Sequence, residues 1–166
     1  MQLPCCKAVG ERQAFDLSTG TAPWRVNVPT SPSFATAVPA SDPAWAPVNG
    51  ADWIGPPGGW DAEGDYTYEV RFEVPRCPVG RDITVSGNFA ADNRAAIFVG
   101  PSTTPVAVSQ GTFDYGFLPG SITPFSATFP SAGAGTYVLK AVVNNSGGVT
   151  GLAVQATVAS VCRTAS

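Results

Sequence analysis

The sequence predicts an all-β fold, a single β-sandwich of about eight antiparallel strands, and three observations carry that prediction. From Tyr66 to Val74 the chain alternates, with Tyr66, Tyr68, Val70, Phe72 and Val74 on one face and Thr67, Glu69, Arg71 and Glu73 on the other. Period-2 alternation of this length is the mark of a strand with one buried and one wet face. The 166 residues include 18 glycines and 16 prolines, which fall between the apolar runs, where turns belong. Finally, no stretch shows a convincing helical repeat.

Taken in order, residues 1–20 show little periodicity and read as an irregular N-terminal arm. The domain is expected over 21–160, with a short tail at 161–166. Trp24-Arg25-Val26-Asn27-Val28 alternates as a first strand should. From Pro29 to Gly64, prolines and glycines recur every few residues, so this long connection can hold only short edge strands. After the 66–74 strand, Pro75 and Pro78 enforce a break, and Asp82–Phe89 puts Ile83, Val85, Gly87 and Phe89 on one side. Shorter strands are expected at Ala95–Val99 and around Val106–Val108. Ile122–Phe129 and Thr136–Val143 follow, and the turn Asn144-Asn145-Ser146-Gly147-Gly148 leads into a last strand bearing Leu152, Val154, Ala156 and Val158. That turn contains the residues that accept a positive φ.

Composition narrows the chemistry. The absence of histidine removes Ser-His-Asp triads, histidine-ligated metals and any histidine general base. Charged residues make up only 13% and lysine occurs twice, at Lys7 and Lys140, so a basic nucleic-acid footprint is not expected. No apolar run reaches the roughly 18 residues of a membrane span, and the start Met1-Gln2-Leu3-Pro4-Cys5-Cys6-Lys7 lacks the pattern of a secretory signal. The expectation is a chain that stays in the cytoplasm or leaves it as part of a larger assembly. The four cysteines, Cys5, Cys6, Cys77 and Cys162, include no Cys-x-x-Cys pair. Free thiols in a reducing compartment are the favoured reading. The alternative is that Cys5 or Cys6 bonds Cys77 or Cys162 and ties the arm to the domain, with the connectivity open.

The order of several short blocks resembles the galactose-binding-domain-like jelly roll of bacterial surface proteins and phage virion proteins. They are Trp24-Arg25-Val26, Trp53-Ile54-Gly55-Pro56, Gly64-Asp65-Tyr66-Thr67-Tyr68 with Phe72, Gly87-Asn88-Phe89-Ala90-Ala91-Asp92-Asn93, Thr123-Pro124-Phe125, and Val142 to Gly148 with Thr150-Gly151-Leu152 and Val154. The resemblance implies a jelly roll whose end loops bind carbohydrate, sometimes with a structural calcium ion, and a binding module in preference to an enzyme. With no export pattern, it implies first a non-enzymatic structural subunit of a virion, such as a head decoration or a tail-associated protein. Such a subunit would be assembled in the host cytoplasm from homo-oligomers or with capsid or tail proteins. The alternative is a lectin-like module of a bacterial surface or extracellular protein, with cell-surface glycans as partners.

Several residues are candidates for binding. Asp92, Asn93 and Asn145 lie in turns where carboxylate and amide groups can meet sugar hydroxyls. The same side chains commonly cap their own backbone, and that is the favoured reading. Trp24 and Trp53 are expected in the core. Trp45 and Trp60, in proline- and glycine-rich loops, are the better candidates for exposure as a platform for a sugar ring, although covering the core under the long loop is at least as favoured a reading. Asp61, Glu63 and Asp65 set carboxylates at alternate positions, the oxygen-rich pattern calcium favours, although carboxylate runs of this kind are usually solvated turns.

Overall fold

A computed structural model describes residues 1–58, 62–110 and 115–163. Among them lie twelve strands: β1 (Arg12–Asp16), β2 (Arg25–Asn27), β3 (Phe34–Thr36), β4 (Val38–Pro39), β5 (Ile54–Gly55), β6 (Gly64–Val74), β7 (Gly80–Asp92), β8 (Arg94–Val99), β9 (Ala107–Val108), β10 (Thr123–Phe129), β11 (Gly135–Asn145) and β12 (Gly151–Arg163). The helical content among them is one 3-10 turn, Pro119–Ser121. One sheet runs β10-β7-β12-β5-β4, with β1 also paired to β12; the other runs β3-β2-β6-β11-β8-β9. Every pairing between these strands is antiparallel. The two sheets form a jelly-roll sandwich.

Alternation places the core where the sequence puts it. Tyr66, Tyr68, Val70, Phe72 and Val74 of β6 are buried, and they meet Ile83, Val85 and Phe89 of β7 and Leu152, Val154, Ala156 and Val158 of β12 in a single cluster. Gly87 breaks the pattern of large residues for a steric reason: a Cβ there would lie 1.8 Å from the carbonyl oxygen of Gln155. Only glycine lets β7 and β12 approach this closely.

The eight expected strands are present, most of them longer than the apolar runs suggest. The 29–64 connection holds three short strands, β3, β4 and β5. The segment 1–20 is irregular as far as Gly10 and then supplies β1, whose Phe15 packs edge-on to Phe72 with ring centroids 5.6 Å apart. Leu3, Cys6 and Leu17 are buried as well.

The favoured reading of free thiols is corrected: Cys5 is bonded to Cys77 and Cys6 to Cys162, and no described cysteine is free. The second bridge lies where the arm meets the end of β12: the Gly10 amide donates to the Cys162 carbonyl at 2.7 Å and the Cys162 amide to the Glu11 carbonyl at 2.9 Å, and Cys162 sits opposite Arg81 at the start of β7. Arg81 is 2% exposed. Its Nη2 donates to the carbonyl of Pro4 at 2.9 Å and its Nη1 to Oε1 of Gln13 at 3.4 Å. Burial lowers its pKa, against the opposing charge of Glu11.

Candidate functional site

The opposite end of the sandwich gathers the turn residues singled out in the sequence. Asn145 is buried, donates from Nδ2 to the carbonyls of Ala62 (3.1 Å) and Gly148 (3.0 Å), and accepts from the Gly147 amide at 3.2 Å. Asn93 accepts through Oδ1 from both the amide (2.8 Å) and the hydroxyl (3.1 Å) of Ser146. These amides tie the 144–150 turn to its neighbours. Asp92 is buried, and its backbone carbonyl accepts from the Thr150 hydroxyl.

Of the two readings of Trp45, the structure has the one in which it covers the core and not the exposed platform: it is 8% exposed. Its Nε1 donates to Oδ2 of Asp92 at 2.7 Å, and its ring lies on Gly151, where a Cβ would come within 2.5 Å of it. The other face of the indole stacks on Trp53, centroids 4.5 Å apart and planes 24° apart. An indole N–H opposite a buried carboxylate draws the side chain inward, and a partner 47 residues away is invisible in the local sequence. Burial pushes the Asp92 carboxyl up to about 6; the Trp45 donor works against this and the Asp42 charge adds to it.

Trp24 is buried, its Nε1 donating to the Leu17 carbonyl at 2.8 Å; Trp53 is half-buried. Glu63 and Asp65 are exposed, and Asp65 accepts from Asn144 Nδ2 at 2.8 Å. Among the described residues no group of three His, Cys, Asp or Glu is set to hold a metal. Trp60 and Asp61 lie outside the described residues.

The buried tryptophans hold up something else. Trp53 donates from Nε1 to the Ala46 carbonyl at 2.8 Å, and the Ala46 amide donates to the Phe117 carbonyl at 2.8 Å. Val48 then caps Ala90 of β7 and Ala153 of β12 in a small second core on the outer side of the sheet. This fixes the Pro47–Gly50 segment as the wall of a cleft of about 630 Å³. Its floor is the cross-strand pair Asn88 and Gln155, whose side chains approach to 3.5 Å (Nδ2 to Oε1). Asn49 adds a third amide, and Pro47, Val48 and Ile122 supply apolar walls.

None of the residues singled out in the sequence lines this cleft, although Trp45 and Trp53 position its wall. Asn88 and Gln155 are 67 residues apart and meet only through the β7–β12 register. The one local signal is that each occupies an outward position among inward apolar neighbours.

Among the described residues the cleft is lined by no charged side chain, and its amide groups can both donate and accept hydrogen bonds. No known family model matches the chain, and no curated protein matches it. Among solved structures the chain is similar to a family 35 carbohydrate binding module from Clostridium thermocellum, at 12% identity and a TM-score of 0.46, covering 87% of this chain and 97% of that one. It is similar to the xylan-binding module CBM15 at 11% identity and a TM-score of 0.44, covering 93% and 100%. A GH2 beta-galacturonidase from Eisenbergiella tayi bound to galacturonate is similar at 16% identity and a TM-score of 0.41; the match takes in 91% of this chain but spans only 26% of that enzyme. These are similarities of sandwich architecture.

Proposed function

We propose that the chain is a non-catalytic carbohydrate-binding module that takes a neutral saccharide in the cleft over β7 and β12. The observation that supports this is the set of three amides, Asn49, Asn88 and Gln155, beside the apolar surface of Pro47, Val48 and Ile122. Amides offer sugar hydroxyls both a donor and an acceptor, and the apolar wall receives ring C–H groups. Amide side chains are neither acids nor bases at neutral pH, so this cleft binds and does not turn its ligand over.

Two disulfides, Cys5–Cys77 and Cys6–Cys162, support an extracellular or cell-surface setting, because such bonds persist where the surroundings are oxidising.

The test is a glycan array probed with the full chain, followed by titration calorimetry of the best neutral ligand against Asn88→Ala and Gln155→Ala. Each variant should weaken binding about tenfold, the equivalent of about 1.4 kcal/mol, with an unchanged melting curve. Unaltered affinity in both variants would move the site elsewhere. An empty array together with a defined oligomer in light scattering would return the chain to a structural role.

A further inference from the structure

The opposite sheet carries a second, differently charged surface. Cross-strand registers place Thr36, Arg25, Glu69, Lys140 and Phe98 in one row across β3, β2, β6, β11 and β8. Glu69, outward-facing on β6, is nonetheless 6% exposed, because two arginines close over it. Its Oε1 accepts hydrogen bonds from Arg25 Nη2 and from Arg71 Nε (3.0 Å), and Arg71 Nη2 completes the ion pair at 2.9 Å. Lys140 stands directly opposite Glu69 on β11. Two guanidinium groups thus pair with one carboxylate, in a chain whose formal net charge is −3. The next acid along β6, Glu73, accepts from the Thr136 hydroxyl at 2.7 Å.

Glu69 accepts one hydrogen bond from Arg25 and one from Arg71, of the five that each guanidinium can donate, and both side chains stay about half exposed, at 43% and 55%. They are therefore held in place while still able to donate. The Arg25 guanidinium carbon lies 5.1 Å from the Phe34 centroid; farther along the row, Lys140 Nζ lies 4.5 Å from that of Phe98. Between the arginines and Thr36 opens a cleft of about 340 Å³, into which Glu69 also faces.

We infer that this cleft is a second glycan site, selective for a carboxylated saccharide, with the ligand carboxylate bridging Arg25 and Arg71. Guanidinium groups recognise a carboxylate through paired N–H donors, and a carboxylate acceptor beside them suits the hydroxyls that flank the acid on a hexuronate ring. The inference rests on the reading of the chain as a glycan-binding module but not on the amide cleft, which lies on the other sheet.

The experiment is calorimetry of the full chain with tetragalacturonate, its fully methyl-esterified form and a short DNA duplex. The acid should bind, with an affinity that falls as salt is raised, and the ester should bind at least about tenfold more weakly. Arg25→Gln with Arg71→Gln should lose about tenfold or more, and Arg71→Gln alone, which leaves Glu69 paired with Arg25, should lose severalfold. Asn88→Ala should bind the acid as the parent does, so a failure of the neutral-sugar cleft is read separately. Equal binding of acid and ester, full affinity in the double variant (or, should that variant not fold, in Arg71→Gln), or tighter binding of the duplex than of the acid would each overturn the assignment.

Discussion

The two ends of this sandwich are closed by different chemistry. At one end the arm is bonded covalently, Cys5 to Cys77 beyond β6 and Cys6 to Cys162 in β12, with the buried Arg81 guanidinium filling the space beneath. At the other, the loops are held by side chains that hydrogen-bond backbone: Asn145, Asn93 and Thr150, with Trp45 on Asp92. A covalent link acts mainly on the unfolded chain, by shrinking its ensemble. A hydrogen-bonded clamp acts on the folded chain, and it is local and can respond to pH. The difference teaches that one end supplies overall stability while the other sets the shape of the loops beside the neutral cleft.

The sharpest way to break this contrast is to cut the bridges. Closing a loop as long as that from Cys6 to Cys162 contributes about 5 kcal/mol in the chain-entropy description, a large part of the 5–15 kcal/mol that holds a typical domain. Cys6→Ser with Cys162→Ser, or reduction confirmed by thiol titration, should therefore lower the denaturant midpoint drastically. A midpoint that survives full reduction would show the two ends to be equivalent. Asn145→Ala comes next. It removes three hydrogen bonds from a buried amide, a loss of about 2–3 kcal/mol. Hydrogen exchange should accelerate at 62–64 and 147–148, with the disulfide end unmoved; uniform acceleration would contradict a local clamp.

The smallest effect is the one with a distinctive pH signature. Folded Asp92 keeps its proton up to about pH 6, whereas the unfolded side chain releases it near its ordinary value of 3.8. Between those values the folded state binds more protons. Its contribution to stability is therefore complete below the lower value and lost as pH rises through the upper one. After allowance for solvent screening near the loops, the loss is roughly 1–2 kcal/mol. In Asp92→Asn, the amide oxygen still accepts from Trp45 Nε1 and nothing ionises. Thermal melts from about pH 4 to about pH 7 should slope downward for the parent relative to this variant. Parallel curves would mean that the carboxyl is already ionised in the fold.

How much of this was legible in the sequence follows from how far each residue's partner lies along the chain. The faces of β6 could be read because burial and exposure alternate within one run. In β1, Arg-Gln-Ala-Phe-Asp carries one large apolar residue, and it is a strand only because Ser160, Ala159 and Val158 pair with it. Trp45 reads as a loop platform or as a cover for the core until Asp92 is beside it. Asn88 and Gln155 carry no local sign of being neighbours, and neither do Arg25 and Lys140 on either side of Glu69. Periodicity reports which face a side chain takes; it says nothing about register, and both clefts are products of register.

The bridge from Cys6 to Cys162 has a mechanical consequence. A pull applied between the first residues and Arg163 would pass from the arm into one sulfur and out of the other, leaving every strand between them without tension. β-strands loaded end to end fail by shearing or unzipping of their backbone bonds, but here those bonds would lie off the load path. With the bridge intact, a module tethered at both ends could hold a bound polymer under drag while its clefts kept their shape.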